Sequence, residues 1–141
     1  MKTKKFDPKR DYPLGSQRSD LVKTPSGKDF QDITMENLAA GKIDALEVRI
    51  RPETLEMQAQ IAEVHGRSQL AVNFRRAAEL THIPDEDILR IYNALRPHRF
   101  TKKELLGIVK ELQEKFQARV NAEFIREAIN IYEKRGLLKK T

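Results

Sequence analysis

An apolar stripe runs through the last third of this chain and limits the folds that the chain can adopt. Apolar residues recur there at steps of three and four, the spacing of one helix face: Leu105, Val109, Leu112, Phe116, Val120, Phe124, Ala128 and Ile131. A straight helix over residues 101–135 would be roughly 52 Å long, whereas a compact chain of 141 residues is roughly 37 Å across. The stripe therefore bends, with the bend expected around Gln117 and Ala118, or it protrudes and needs a partner surface to cover it.

Start and stop signals upstream of the stripe also indicate helices, and no stretch alternates convincingly as a β-strand. Prolines, glycines and capping residues bound four predicted helices, at residues 34–40, 52–65, 68–81 and 84–95. Thr34 and Ser68 are expected to cap two of them, and Thr101 with Glu104 has the pattern of a capping box at the start of the stripe. The predicted fold class is therefore all-α: a small irregular helical domain over residues 33–141, preceded by an extended N-terminal arm.

The arm, residues 1–32, is basic and poor in apolar side chains. Residues 1–28 carry eight basic and three acidic side chains, a net charge of +5, while the remaining 113 residues carry 19 basic and 18 acidic side chains, a net charge of +1. Three prolines and two glycines interrupt any helical or strand period in the arm. Such a segment buries too little apolar surface to offset an ordering cost of roughly 1–2 kcal/mol per residue. It therefore orders against another surface or stays loose.

The composition removes several classes of function. Because the chain has no cysteine, a disulfide framework, a cysteine-ligated zinc site, an iron–sulfur cluster and a thiol nucleophile are excluded. No apolar run approaches the roughly 18 residues of a membrane span, and the start of the sequence lacks a signal-peptide pattern. We therefore expect a soluble, cytoplasmic protein. Residues 24–28 end in Gly-Lys as a phosphate loop does, but Val22 and Asp29 stand where that loop needs a glycine and a hydroxyl, so the run is interpreted as a turn.

The polar residues of the body form no recognisable active site. His65, His82 and His98 each lie at a predicted helix end, where capping or dipole compensation explains them; a zinc or acid–base role is the alternative. The acidic run at residues 85–87 fits the first turn of a helix, with a metal or acid–base cluster as the alternative. No serine lies in a nucleophile elbow. We predict no catalytic, cofactor-binding or metal-binding residue on this chain.

The densest polar feature of the body is the arginine pair at positions 75 and 76. A solvated helix face, an ion-paired protein interface and nucleic-acid contact all fit two adjacent arginines. The near-neutral body and the lack of a nucleic-acid-binding motif argue against the last of these. Because arginine suits carboxylates at interfaces, we expect the pair to meet two carboxylates of a partner. The candidate partner-interface residues are Phe74, Arg75, Arg76, Tyr92 and Arg96.

Several ordered stretches of the sequence carry a family resemblance. The most informative are Asp11-Tyr12-Pro13-Leu14, Ile50-Arg51-Pro52-Glu53-Thr54-Leu55, Asn73-Phe74-Arg75-Arg76-Ala77-Ala78-Glu79-Leu80 and Ile91-Tyr92-Asn93-Ala94-Leu95-Arg96-Pro97. Together they resemble the small (gamma) subunit of adenosylcobalamin-dependent diol and glycerol dehydratases. The resemblance runs from about residue 11 to residue 138, and the stretch over residues 73–97 is the most specific part of it.

This resemblance implies a hydro-lyase built as a dimer of heterotrimers, with large (alpha), medium (beta) and small subunits. Such a complex converts 1,2-propanediol or glycerol to an aldehyde by a radical mechanism. The large subunit carries the substrate pocket and its metal ions, adenosylcobalamin lies between the large and medium subunits, and the helical small subunit packs on the large one. No catalytic residue of the family maps onto this chain.

The arm before Asp11 is short, which resembles the glycerol dehydratase type. Arm length relates to enclosure of the complex in a bacterial microcompartment or to solubility, and it does not indicate which diol the large subunit prefers. Two other functions compete with that of a non-catalytic subunit. One is a basic helical nucleic-acid-binding module, favoured by the net charge of +6, and the other is an independent small enzyme.

Overall fold

The computed structural model describes residues 5–140, and this part of the chain contains helices and no β-strand. Seven α-helices lie within the described range: α1 (Leu14–Gln17), α2 (Met35–Ala39), α3 (Pro52–Val64), α4 (Ser68–Leu80), α5 (Asp85–Ala94), α6 (Lys102–Glu114) and α7 (Arg119–Arg135). Two 3₁₀ turns, Ser19–Leu21 and Phe30–Asp32, follow α1. The all-α fold class is confirmed. Lys2 and Lys4 of the predicted basic arm lie outside the described residues.

By their internal contacts the residues fall into two compact units, 1–81 and 82–141. The first unit contains α1 to α4, and the second contains α5 to α7. The boundary between these units lies after Thr81. The predicted boundary between an arm (1–32) and a helical domain (33–141) lies elsewhere, and the two units do not test it. That division stays a prediction.

The centre of the first unit is a hairpin of α3 and α4, which pack against each other. Gly66 ends α3 with a φ of 72°, a left-handed conformation that glycine adopts without a Cβ clash. Its N–H donates to the Glu63 carbonyl (3.0 Å), and the next N–H, of Arg67, donates to the Ala62 carbonyl (2.8 Å), as in a Schellman motif. The contact face is built from small buried residues with one aromatic ring packed against them: Ala59, Ala62, Ala71 and Phe74.

The arm is held in its fold by buried charge. The Arg18 guanidinium donates from Nη1 to Asp11 Oδ2 (3.0 Å) and from Nε to Asp20 Oδ1 (2.9 Å). Arg18 is only 8% exposed and Asp11 only 4%. Hydrogen bonding from the backbone N–H of Asp7, followed by that from Arg18 and Arg10, keeps the pKa of Asp11 below its ordinary value. Ion pairs thus order a segment that has little apolar surface to bury.

In the second unit the apolar stripe is divided between two helices. Gln117 adopts a φ of 56°, and the N–H of Ala118 donates to the Leu112 carbonyl (2.8 Å), which closes α6 before α7 begins. The break lies where the sequence predicted a bend, and α6 and α7 pack together.

The prediction of which α7 residues belong to the buried apolar face is wrong. The buried apolar residues of α7 are Ala122, Ile125 and Ile129, whereas Phe124 and Ile131 are 40% and 48% exposed. The reason is that the non-helical residues between α6 and α7 change the phase of the helical repeat. Residues that would share one face of a single continuous helix therefore do not all lie on the buried faces of α6 and α7.

Two of the three predicted caps are confirmed. At the start of α6, the Thr101 N–H donates to Glu104 Oε2 (2.7 Å), and the Glu104 N–H donates to Thr101 Oγ1 (3.3 Å). Thr34 Oγ1 accepts from the Asn37 N–H (3.2 Å) at the start of α2. The prediction for Ser68 is wrong, because Ser68 is the first helical residue of α4, whose N-cap is Arg67 without a side-chain bond.

Candidate partner interface

The histidines lie at or between helix ends, as the sequence predicts. Among residues 5–140, no group of three or more His, Cys, Asp or Glu side chains is placed to hold a metal ion. His65 caps α3, with Nδ1 2.8 Å from the Ile61 carbonyl oxygen, while the N–H of His98 donates to the Leu137 carbonyl (2.7 Å). His82 lies between α4 and α5. No helix of the described range is both long and apolar enough to cross a membrane.

The acidic run at residues 85–87 and the loop at residues 24–28 have structural roles. The acidic run forms the first turn of α5, and Asp87 accepts a hydrogen bond from Arg90 Nη2 (2.9 Å), which holds the Asp87 pKa below its ordinary value. In the loop, the N–H of Thr24 donates to the Lys28 carbonyl (3.0 Å), and the N–H of Gly27 donates to the Thr24 carbonyl (2.9 Å). The loop is therefore a tight turn, as the sequence indicates.

The carboxylates that contact Arg75 belong to this chain. Arg75 lies on α4, and its guanidinium bridges two acids of α3: Nε lies 3.1 Å from Glu56 Oε2, and Nη1 lies 2.6 Å from Glu63 Oε1. Nη2 donates to both acids as well, at 3.2 and 2.9 Å. The Arg75 guanidinium keeps the pKa of Glu63 below its usual range. This clamp fastens α4 to α3, and a role of Arg75 toward a partner stays a prediction.

Phe74, one position earlier, contributes to a groove between the arm and the hairpin. The groove has a volume of about 400 Å³. Its lining is mostly apolar, with a polar rim: Tyr12, Leu14, Ile61, His65, Arg67, Leu70 and Phe74. The rings of Tyr12 and His65 lie with their centroids 6.0 Å apart and their planes tilted by 49°. Sequence reasoning identified Phe74 but missed the groove, because the wall from the arm lies about fifty residues away in the chain.

The other two candidate residues lie in the second unit. Tyr92 is 67% exposed on α5, and Leu89, one turn earlier on the same face, is 61% exposed. Arg96 follows the end of α5 and is exposed. Tyrosine and arginine with an apolar neighbour are the residue types enriched where protein partners bind. The structure thus places Phe74, Arg75 and Arg76 together on α4, and Tyr92 and Arg96 together at the end of α5.

A further apolar surface has no counterpart among the predicted interface residues. Leu46 and Val48 are each 60% exposed, and Ile50 is 48% exposed, in the segment that leads into α3. Neighbouring exposed apolar residues of this size mark surfaces that bind other proteins. Their alternation with polar residues is visible in the sequence and was the signal that could have identified them.

Comparison with known proteins gives one consistent result. The family model described as "Dehydratase small subunit" matches residues 8–139. A protein named propanediol dehydratase small subunit from Salmonella typhimurium (strain LT2) is 51% identical over 129 residues, which cover 92% of this chain and 75% of the relative. The protein of the same name from Citrobacter freundii is 50% identical over 129 residues, with the same coverage of both chains.

Proposed function

The chain belongs to the dehydratase small-subunit family, and from that premise we propose that it is the non-catalytic small subunit of a diol dehydratase. The complex removes water from 1,2-propanediol or glycerol and releases an aldehyde. Adenosylcobalamin initiates the radical chemistry and is bound by the other subunits. This chain packs on the large subunit and stabilises it.

The observation that carries the proposal is the extent of the similarity. Half of the aligned residues are identical to those of two propanediol dehydratase small subunits, over 92% of the chain. The family resemblance seen in the sequence is thereby confirmed. The names of these relatives also favour 1,2-propanediol as the substrate of the complex.

The surface of the chain supports assembly as its role. Large apolar side chains are exposed in both units, and Leu46, Val48, Leu89 and Tyr92 each have at least 60% of their surface in contact with solvent. Burying such surface is the main favourable contribution to a permanent interface. The partners we propose are the large and medium dehydratase subunits, in a dimer of heterotrimers.

The basic character of the chain gives less support to nucleic-acid binding. Several arginines of the body are occupied by acids of the same chain: Arg75 by Glu56 and Glu63, and Arg90 by Asp87 and Glu111. Guanidinium groups held in this way are not free to neutralise phosphates. A salt titration separates the two functions, because phosphate binding weakens steeply with salt and an apolar interface responds little.

The proposal is tested by comparing the isolated chain with the assembled complex. The chain alone is expected neither to bind adenosylcobalamin nor to dehydrate a diol, whereas the complex purified with the large and medium subunits does both. Equilibrium dialysis with the cofactor and an aldehyde assay give the two measurements. Stoichiometric cofactor binding by the isolated chain would contradict the proposed division of labour.

A further inference from the structure

We propose that the groove between the arm and the α3–α4 hairpin receives a bulky apolar side chain of the large subunit, beside a carboxylate that pairs with Arg67. This inference rests on the proposed function, since it names one surface through which the subunit binds its partner. Phe74 is the one lining residue that the sequence analysis predicted at a partner interface, whereas Arg67 and the wall from the arm were not predicted there.

The shape and lining of the groove fit a large apolar side chain. Leu14 and Ile61 are buried beneath it, at 5% and 7% exposure, while Tyr12 and Leu70 at its walls are 62% and 38% exposed. A volume of about 400 Å³ leaves room for a bulky side chain to enter. Filling it would remove the exposed apolar walls from water, which contributes roughly 25 cal/mol for each Å² of apolar surface buried.

The charge at the rim of the groove indicates which partner group should lie beside the partner's apolar side chain. Arg67 is the one formally charged residue that lines the groove within the described range, and the lining contains no acid. Its side chain is exposed, and no ion pair of Arg67 occurs among residues 5–140. The nearest acids in the sequence of α3, Glu56 and Glu63, are occupied by Arg75. A carboxylate of the partner would complement Arg67, and arginine pairs with carboxylates in a bidentate geometry.

The groove of a second copy of this chain is not complementary to this groove. In a two-fold symmetric contact the same surface lies against itself. Two grooves placed face to face would bring Arg67 toward Arg67, with no lining acid to separate the charges. This argues against a groove-to-groove contact between two copies, and we assign the complementary surface to the large subunit, on which this subunit packs in the proposed complex.

The absence of cysteine from the chain allows a direct test with single thiols. Leu70→Cys places a thiol at the groove, and Val72→Cys is its matched control, because both residues lie on α4 with similar exposure (38% and 40%) but only Leu70 lines the groove. Maleimide labelling of each variant is followed on this chain by mass spectrometry, for the free chain and for the complex. Assembly is expected to slow labelling of the Leu70→Cys thiol at least about tenfold and that of the Val72→Cys thiol less than about threefold, as for core and rim positions of an interface.

A charge reversal tests the predicted carboxylate. Arg67→Glu is expected to raise the Kd for the large subunit at least about tenfold, or about 1.4 kcal/mol. Lys42→Glu is the control, since Lys42 is also exposed in the first unit, lies outside the groove, and changes the net charge equally. The control should alter the Kd by less than about threefold, because isolated surface charges contribute little.

The possible outcomes distinguish this inference from the proposed function. If the unmodified chain fails to bind the large subunit, the proposed function is wrong. If the complex forms but the Leu70→Cys thiol labels at the rate of the free chain, or both thiols are protected equally, the groove assignment is overturned. Protection of that thiol in the free chain at high concentration would indicate a second copy and would also overturn it.

Discussion

At the scale of single residues, the two arginines of the hairpin illustrate what the sequence reveals and what it does not. Arg75 and Arg67 are the same residue type eight positions apart, yet Arg75 is clamped by two acids and Arg67 is not. The acids lie 19 and 12 residues before Arg75, so the pairing exists only once α3 and α4 have packed. Sequence reasoning predicted carboxylates for Arg75 but assigned them to a partner, because no local pattern links residues so far apart.

The clamp makes a measurable prediction about stability. Arg75→Gln should lower the free energy of unfolding by about 1 kcal/mol in dilute salt, the upper end for partly exposed ion pairs. The loss should shrink as salt is added, because salt screens exposed charges. Urea unfolding of the full chain measures both effects. Arg67→Gln is the control, and a loss as large as that of Arg75→Gln would refute the clamp.

A partly buried acid, Glu47, predicts how stability changes with pH. The Thr24 and Ser26 hydroxyls, with a smaller contribution from Lys28, lower the pKa of Glu47 from 4.5 to about 2. A folded-state pKa below the unfolded value means that the contribution to stability is fully present above pH 4.5 and is lost as the pH falls toward about 2. Glu47→Gln should therefore reduce the fall in urea midpoint over this range. An unchanged pH dependence in the variant would contradict the assigned hydrogen bonds.

At the scale of elements, helix boundaries could be predicted and the buried face of α7 could not. Start and stop signals are local: Thr101 caps α6 by contacts within one turn, and Gly136 ends α7 in a left-handed conformation. The face that α7 buries depends on the path of the chain through Gln117, which the periodicity of the sequence does not record. The four residues between α6 and α7, 115–118, are not helical and rotate the apolar face.

The confirmed cap at Thr101 and the wrongly predicted cap at Ser68 provide a matched pair of variants. Thr101→Ala removes the side-chain acceptor of the α6 capping box and should cost about 1 kcal/mol of unfolding free energy. Ser68→Ala removes a hydroxyl that makes no cap bond, so stability should stay the same or rise slightly, since alanine favours helices. Urea unfolding of both variants provides the comparison. Equal losses would show that Ser68 also acts as a cap.

At the scale of the whole molecule, the sequence indicated the function class better than it indicated the organisation of the first unit. The exclusion of disulfide, thiol and cysteine-zinc chemistry needed only the composition, and the family resemblance needed only ordered residues. The local fold of the arm includes ion pairs of Arg18 with Asp11 and Asp20, and Arg18 and Asp11 are buried against expectation for charged side chains. Hydrophobic patterning does not detect a segment that is held by ion pairs.

Native mass spectrometry can show whether this chain is a stoichiometric subunit, with the complex purified through a tag on this chain after co-expression with the large and medium dehydratase subunits. We predict one assembly that contains the three subunits in equal copy number and stays intact when salt is raised, because apolar burial rather than charge holds it. Recovery of the tagged chain alone, with both partners expressed and soluble, would contradict the account.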